Sequence, residues 1–236
     1  YAFQEAKERL NGNFRQKYQS GQVLANLEDG RSLPLMIAAF LELYGGENPV
    51  DKLNSALSHK YRLILRDNLL YSIARFGENA ANKLREIIES SNDNEAQKTF
   101  IHQVNENYEV WTGNNLLIAA EFYLKLAGDL AGNISDPYLQ AECYNNIWRI
   151  GEKLENLKDY EDYLKKAEEL TKLISDAESK RRMEIKVRNN RGVVAATHGD
   201  FQTALESWQY TFDETGDSQE MAGFHVTSGY NLARLY

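Results

Sequence analysis

The chain has 236 residues, long enough for a substantial core built either as one large domain or as a run of stacked small units. Apolar residues make up 42% of it and charged residues 26%, the balance of an ordinary soluble globular protein. The net charge of −8 argues against nucleic-acid binding, because phosphate backbones require a basic surface. The only cysteine is Cys143, which excludes an internal disulfide and a thiolate-rich metal site.

The same features bear on location. No apolar run approaches the roughly 20 residues that a membrane-spanning helix needs, so we expect no membrane contact. A lone cysteine fits a reducing compartment, and we expect a cytoplasmic location. The chain begins at Tyr1 without a Met and ends at Tyr236 inside a predicted helix. We therefore expect a piece of a longer protein, whose targeting signals and partner domains lie outside it.

Apolar positions recur at helical spacing rather than in alternation, which predicts an all-α protein of about twelve helices. In chain order, the predicted breaks between helices fall near residues 11–13, 28–32, 45–47, 76–77, 91–93, 112–113, 131–135, 156–158, 175–178, 199 and 215–217. One helical hairpin alone cannot bury its apolar face. We therefore expect the hairpins to stack into a right-handed α-solenoid with a concave side.

The first half of the chain contains a loose internal repeat. "GGENPVDKLNSAL" (45–57) and "FGENAANKLREII" (76–88) align at a step of 31 residues and share Gly-Glu-Asn and Lys-Leu. An amphipathic helix ending at a Gly, a second helix and a polar turn before a third resemble a HEAT-type repeat over about residues 33–108. We expect residues 1–112 to form a HEAT-like or irregular helical-hairpin region.

A long helix over residues 113–131 is predicted to join this region to a second series over residues 113–236. The next helix is predicted to begin at Asp136-Pro137, because Asp is a favoured N-cap and Pro is favoured at the first helical position.

The second series repeats at a step of 41 residues. Gly192 is preceded by Gly151 and followed by Ala233 at that step, and the turn residues 159–160 and 200–201 follow it too. The alignment needs no gap. It predicts that the three small residues lie at equivalent points of successive hairpins.

The residues of the best copy are a small residue, a Gly-Asp-aromatic turn, and an alanine followed four positions later by an aromatic residue. They are Gly192, Gly199, Asp200, Phe201, Ala204 and Trp208. This pattern resembles the tetratricopeptide repeat over about residues 136–236. The resemblance implies that Gly192 faces Ala204 across the hairpin. The usual unit has 34 residues, so we expect each helix of the pair to be about one turn longer than usual.

The sequence offers no catalytic or metal-binding motif. The four histidines fall in different predicted helices and include no i, i+4 pair. We expect no enzyme activity, cofactor or metal. The basic stretch Lys180 to Arg188 is interpreted as a solvated helix face, with a phosphate-binding patch as the alternative. His198, beside Gly199, is interpreted as a residue that interacts with a helix C-terminus.

In the repeat family, positions two, three and six residues before the small residue, and one after it, tend to face the concave groove. Mapped onto this chain they are Asn145, Trp148, Arg149 and Glu152; Lys186, Asn189, Asn190 and Val193; and Thr227, Tyr230, Asn231 and Arg234. The resemblance implies that Asn190 and Asn231 hold the backbone of an extended peptide, since an amide side chain both donates and accepts. The alternative is that they pack helix against helix. Lys186, Arg149 and Arg234 would suit carboxylate groups.

The sequence thus predicts a non-catalytic scaffold that binds a protein or peptide segment in its concave groove. The predicted binding residues are Asn190, Asn231, Lys186, Arg149, Arg234, Asn189, Trp148 and Tyr230. Two alternatives remain. The first is a ligand-sensing arm of a larger regulator, such as an ATPase or a DNA-binding protein, and the second is an enzyme built on a helical solenoid. The sequence does not determine the oligomeric state.

Overall fold

The computed structural model describes residues 1–27, 29–41, 67–90, 94–114, 116–216 and 218–235. Over these residues the chain forms α-helices and no β-strand, so the all-α prediction is confirmed. The helices divide into two compact units, Tyr1–Leu126 and Ala127–Tyr236. The boundary between the units falls between Leu126 and Ala127. The division predicted at residue 113 stays a prediction.

The first unit contains six helices and the first part of a seventh in its described residues. They are α1 (Ala2–Arg9), α2 (Phe14–Asn26), α3 (Ser32–Leu41), α4 (residues 67–74), α5 (Glu78–Ser90), α6 (Asn94–Gly113) and α7 (Leu117–Asn133). The helix α2 begins with a capping box, in which the Asn13 side chain accepts from the Gln16 backbone and Gln16 reciprocates. The first copy of the 31-residue alignment, residues 45–57, lies outside the described residues.

Large side chains fill the interior of this unit. Met36, Ile73 and Phe100, from α3, α4 and α6, are each fully buried. The Trp111 ring meets the Tyr123 ring edge to face, with the ring centroids 5.3 Å apart. Gly77, at φ +64°, ends α4 as the HEAT-type pattern predicts, but helices packed in pairs do not by themselves identify that family.

In its described residues, the second unit has five further helices after the end of α7. They are α8 (Pro137–Lys153), α9 (Leu157–Thr171), α10 (Ala177–Thr197), α11 (Phe201–Thr215) and α12 (Ala222–Leu235). The predicted start at Asp136-Pro137 is confirmed, since the Asp136 side chain accepts from the Leu139 backbone at 3.1 Å. Asp200 caps α11 in the same way through Thr203, and this hydrogen bonding lowers the pKa of the Asp200 carboxyl.

These helices pack as neighbouring hairpins. The helices α8 and α9 form one pair, α10 and α11 the next, and α12 packs against both α10 and α11. The first helices also contact one another, because α10 packs against both α8 and α12. We call α8, α10 and α12 the first-helix row.

The turns of the two hairpins repeat at a step of 44 residues rather than 41. The first helices end at the C-caps Leu154 and His198, which both have φ −83° and ψ 0°. The next residues, Glu155 and Gly199, are left-handed, with φ +55° and +78°. The equivalent of Gly199 is therefore Glu155 and not Lys158, the residue 41 positions before it.

Burial follows the same 44-residue step. Leu139, Ala141 and Cys143 of α8 are buried, and so are the residues 44 positions later in α10, Met183, Ile185 and Val187. The gapless 41-residue alignment is therefore wrong for these two hairpins, and Gly151 and Gly192 are not equivalent. Ala233 lies in α12, where its phase relative to Gly192 stays a prediction.

The 41-residue alignment matched the two glycines because each makes room for an aromatic ring. At the 44-residue step, however, their positions differ by about one helical turn. A Cβ on Gly151 would overlap the Tyr160 ring, and a Cβ on Gly192 would lie 2.5 Å from the Trp208 indole. The residue nearest to Gly192 across the hairpin is thus Trp208, and not Ala204 as the resemblance implied. Ala204 is fully buried in a cluster with Ala195.

Among the described residues, no helix combines the length and apolar character that a bilayer span requires.

Candidate functional site: the first-helix row

The candidate site is built on the first-helix row, where α8 and α10 lie side by side. At the 44-residue step, the pair Asn145-Asn146 of α8 corresponds to Asn189-Asn190 of α10. All four side chains are at most 6% exposed, which is unusual for asparagine. The repeat therefore places a pair of buried amides at the same position of both first helices.

One hydrogen bond joins the two asparagine pairs directly. The Asn190 Nδ2 donates to the Asn145 Oδ1 at 2.7 Å, from one first helix to the next. Asn189 donates to the Asn190 Oδ1 at 3.4 Å, a long contact. In the free chain Asn190 thus has the packing role that was the alternative to peptide contact, and its contact with a peptide stays a prediction.

An ion pair continues this line toward the start of the helices. The Lys186 Nζ lies 2.6 Å from the Glu142 Oε1, and both side chains are mostly buried, at 24% and 15% exposure. Lys186 is therefore already paired within the chain, so a partner's carboxylate would have to compete with Glu142. Burial raises the pKa of the neighbouring Tyr138, and the Glu142 charge adds to the shift. We call the contacts Glu142–Lys186 and Asn145–Asn190 the seam.

Two polar atoms beside the seam lack partners among the described residues. They are the indole Nε1 of Trp148 and the Oδ1 of Asn189, both buried. By contrast, the Trp208 Nε1 donates to the Asn189 backbone oxygen at 3.1 Å. An unpaired buried donor or acceptor costs on the order of 1–3 kcal/mol, so these two atoms need an explanation.

The accessible part of the row lies on α12. Tyr230 is 63% exposed, and the Arg234 guanidinium stacks over its ring, 5.7 Å from the ring centroid. Asn231 is half-buried and Thr227 is exposed on the same helix. This end of the row therefore offers an aromatic face, a cation and an amide to solvent.

The remaining mapped positions are divided between the surface and the interior. Arg149 and Val193 are half-buried, Glu152 is exposed, and Trp148 and Asn189 are buried. The structure thus brings Asn189, Asn190 and Lys186 together at the seam, but it leaves only the α12 residues widely open. Glu142 was missed, although its place three residues before Asn145 puts it on the same side of α8.

Several cations of the basic stretch of α10 have partners within the chain. Arg181 lies 2.8 Å from Glu214, and Arg182 lies 2.8 Å from Glu220. Arg188 stacks on the Tyr210 ring, 4.1 Å from the ring centroid. This supports the interpretation of a solvated helix face over a phosphate-binding patch.

In the part of the chain that the structure describes, no group of three or more His, Cys, Asp or Glu side chains is placed to hold a metal ion. His198 is the C-cap residue of α10. Its Nε2 lies 2.6 Å from the Glu161 Oε1 of α9. It therefore links the end of α10 to the preceding second helix.

No protein-family model and no curated protein sequence matches the chain. The likeness to the tetratricopeptide and HEAT repeats therefore rests on the residues named above and on the pairing of the helices.

Proposed function

We propose that the second unit is a non-catalytic binding module of the tetratricopeptide type, an α-solenoid segment that holds a protein or peptide segment along its first-helix row. The observation that carries the proposal is that Tyr230, which is 63% exposed, and Arg234 stand together on α12 at the accessible end of that row. An extended chain needs accessible polar side chains, because its backbone presents a donor and an acceptor at every residue, and the exposed face of α12 offers them.

The α12 end of the row is the proposed contact surface. Tyrosine and arginine are frequent energetic centres of protein interfaces, and here they stand together at Tyr230 and Arg234. The half-buried Asn231 lies between them in sequence. Asn190 would support this surface indirectly, through its hydrogen bond to Asn145.

The proposal is tested by first recovering a partner, by pull-down with the intact protein or from a peptide library. Calorimetry then compares wild type with Tyr230→Ala and Asn231→Ala. We expect each variant to weaken binding by about 10- to 100-fold, the loss of a contact worth roughly 1.4–2.8 kcal/mol.

Phe201→Ala is the matched control, because Phe201 is also a widely exposed aromatic residue, at 58%, but lies on the second helix α11. It should leave the affinity unchanged. If the α12 variants bind every recovered partner as tightly as wild type while Phe201→Ala weakens binding, the first-helix row is the wrong surface.

A further inference from the structure

The seam leaves a hydrogen-bond donor and an acceptor buried and unpaired. Trp148 follows Asn145 by three residues, so it lies on the same side of α8 as the seam, and Asn189 directly precedes Asn190. Within the described part of the chain, the Trp148 Nε1 and the Asn189 Oδ1 have no partner. The closed arrangement therefore costs free energy at each of these two atoms.

The two contacts that define the seam are polar. Glu142–Lys186 and Asn145–Asn190 can each exchange their partner for water, whereas the interior of each hairpin is held by apolar burial such as that of Ala204 and Leu164. Opening the seam would supply partners to Trp148 and Asn189 while the hairpins themselves stay intact.

We infer that the seam between α8 and α10 opens in the free chain, to a state in which Trp148 Nε1 and Asn189 Oδ1 gain hydrogen-bond partners. The open seam then admits part of the bound segment, whose backbone offers an acceptor to the indole and a donor to the amide oxygen. This second step rests on the proposed function, but the opening itself does not.

The opening is measured by hydrogen exchange of the tryptophan indole protons in the free, full chain, followed by NMR. Trp208 is the internal control, since it carries the same group in the same unit and its indole is hydrogen-bonded. We expect the Trp148 indole to exchange about 5- to 150-fold faster than the Trp208 indole, which corresponds to 1–3 kcal/mol for one unsatisfied group.

Burial alone predicts the opposite order of indole exchange rates, because Trp148 is 0% exposed and Trp208 is 5% exposed. Trp→Phe variants assign the three indole signals. If the Trp148 indole exchanges as slowly as that of Trp208, or more slowly, the seam stays closed and the inference is wrong.

A second variant locates the opening. Glu142→Gln weakens the ion pair with Lys186 and should speed exchange of the Trp148 indole several-fold without changing that of Trp208. Asp162→Asn is the matched control, because it breaks the exposed Lys165–Asp162 pair on α9 and should change neither. An unchanged Trp148 rate in Glu142→Gln would show that the opening is not at the seam.

A peptide recovered as a partner should slow exchange of the Trp148 indole at saturation. If a bound peptide leaves the exchange rate of the Trp148 indole unchanged, the segment does not enter the seam. If no segment binds at all, the proposed function fails, while the difference between the two indoles in the free chain still tests the opening.

Discussion

Gly192 and Trp208 show how one pair of residues sets the spacing of a hairpin. The indole approaches the α10 backbone closely enough to donate to the Asn189 carbonyl at 3.1 Å. It can do so because Gly192 has no side chain at the point of approach. In the preceding hairpin the residue 44 positions earlier is Trp148, so the bulky residue there stands on the first helix.

Gly192→Ala should destabilise the second unit, because the new Cβ would lie 2.5 Å from the Trp208 ring and the large buried ring has little room to move. The expected loss is about 1–3 kcal/mol, the usual cost of overpacking. Thermal unfolding followed by circular dichroism measures it.

Gly223→Ala is the matched control, since a Cβ at this position of α12 meets nothing within 4 Å. There the substitution should raise stability slightly, because alanine favours the helix more than glycine does. Equal melting temperatures for Gly192→Ala and Gly223→Ala would mean that the close approach does not exist in solution.

At the scale of the helices, the turns define the repeat. The helices α8 and α10 end in the same backbone geometry, and the next residue in each case is left-handed, first Glu155 and then Gly199. Glycine adopts this conformation freely, whereas glutamate pays on the order of 1–2 kcal/mol for it. The first hairpin therefore carries strain at a position where the second carries none.

Glu155→Gly should stabilise the chain and Gly199→Ala should destabilise it, each by up to about 1 kcal/mol. The relief of backbone strain is partly offset because glycine has more freedom in the unfolded chain. Urea denaturation of the two variants checks both signs. If both substitutions shift the midpoint in the same direction, these two positions are not equivalent.

The sequence predicted the helices well and their register less well. Helical spacing, the cap at Asp136 and the glycine at 199 were enough to place most helices of the second unit. The register failed because an alignment scores identical residues, and glycine recurs at 151 and 192 for reasons that differ in detail. The buried pairs Asn145-Asn146 and Asn189-Asn190 carried the correct step of 44 residues, but asparagine is usually an exposed residue and was mapped to a groove.

For the candidate site, the sequence identified the correct helices but not which side chains are free. It could not show that Glu142 forms an ion pair with Lys186, or that Asn145 accepts a hydrogen bond from Asn190, since both pairs join residues more than 40 positions apart. Whether the accessible residues of α12 bind a segment stays a prediction.

At the scale of the second unit, the account depends on how one hairpin stacks on the next. Apolar contacts hold the α10–α11 hairpin and extend to α12 through Leu232, whereas the charged and amide contacts between α8 and α10 form the seam. A polar contact between hairpins fixes their register more strictly than an apolar one, because a shift of one turn would leave buried amides unpaired.

A double-mutant cycle on Asn145 and Asn190 tests this stacking most directly. Urea denaturation is measured for wild type, Asn145→Ala, Asn190→Ala and the double variant, with circular dichroism to confirm that each is folded. Each single variant leaves the other amide buried without its partner, at a cost of about 1–3 kcal/mol. We expect the double variant to lose clearly less than the two single variants combined, with a coupling of 0.5 kcal/mol or more, as for residues in direct contact. Additive losses would show that the two amides do not meet, and would contradict the 44-residue register and the seam built on it.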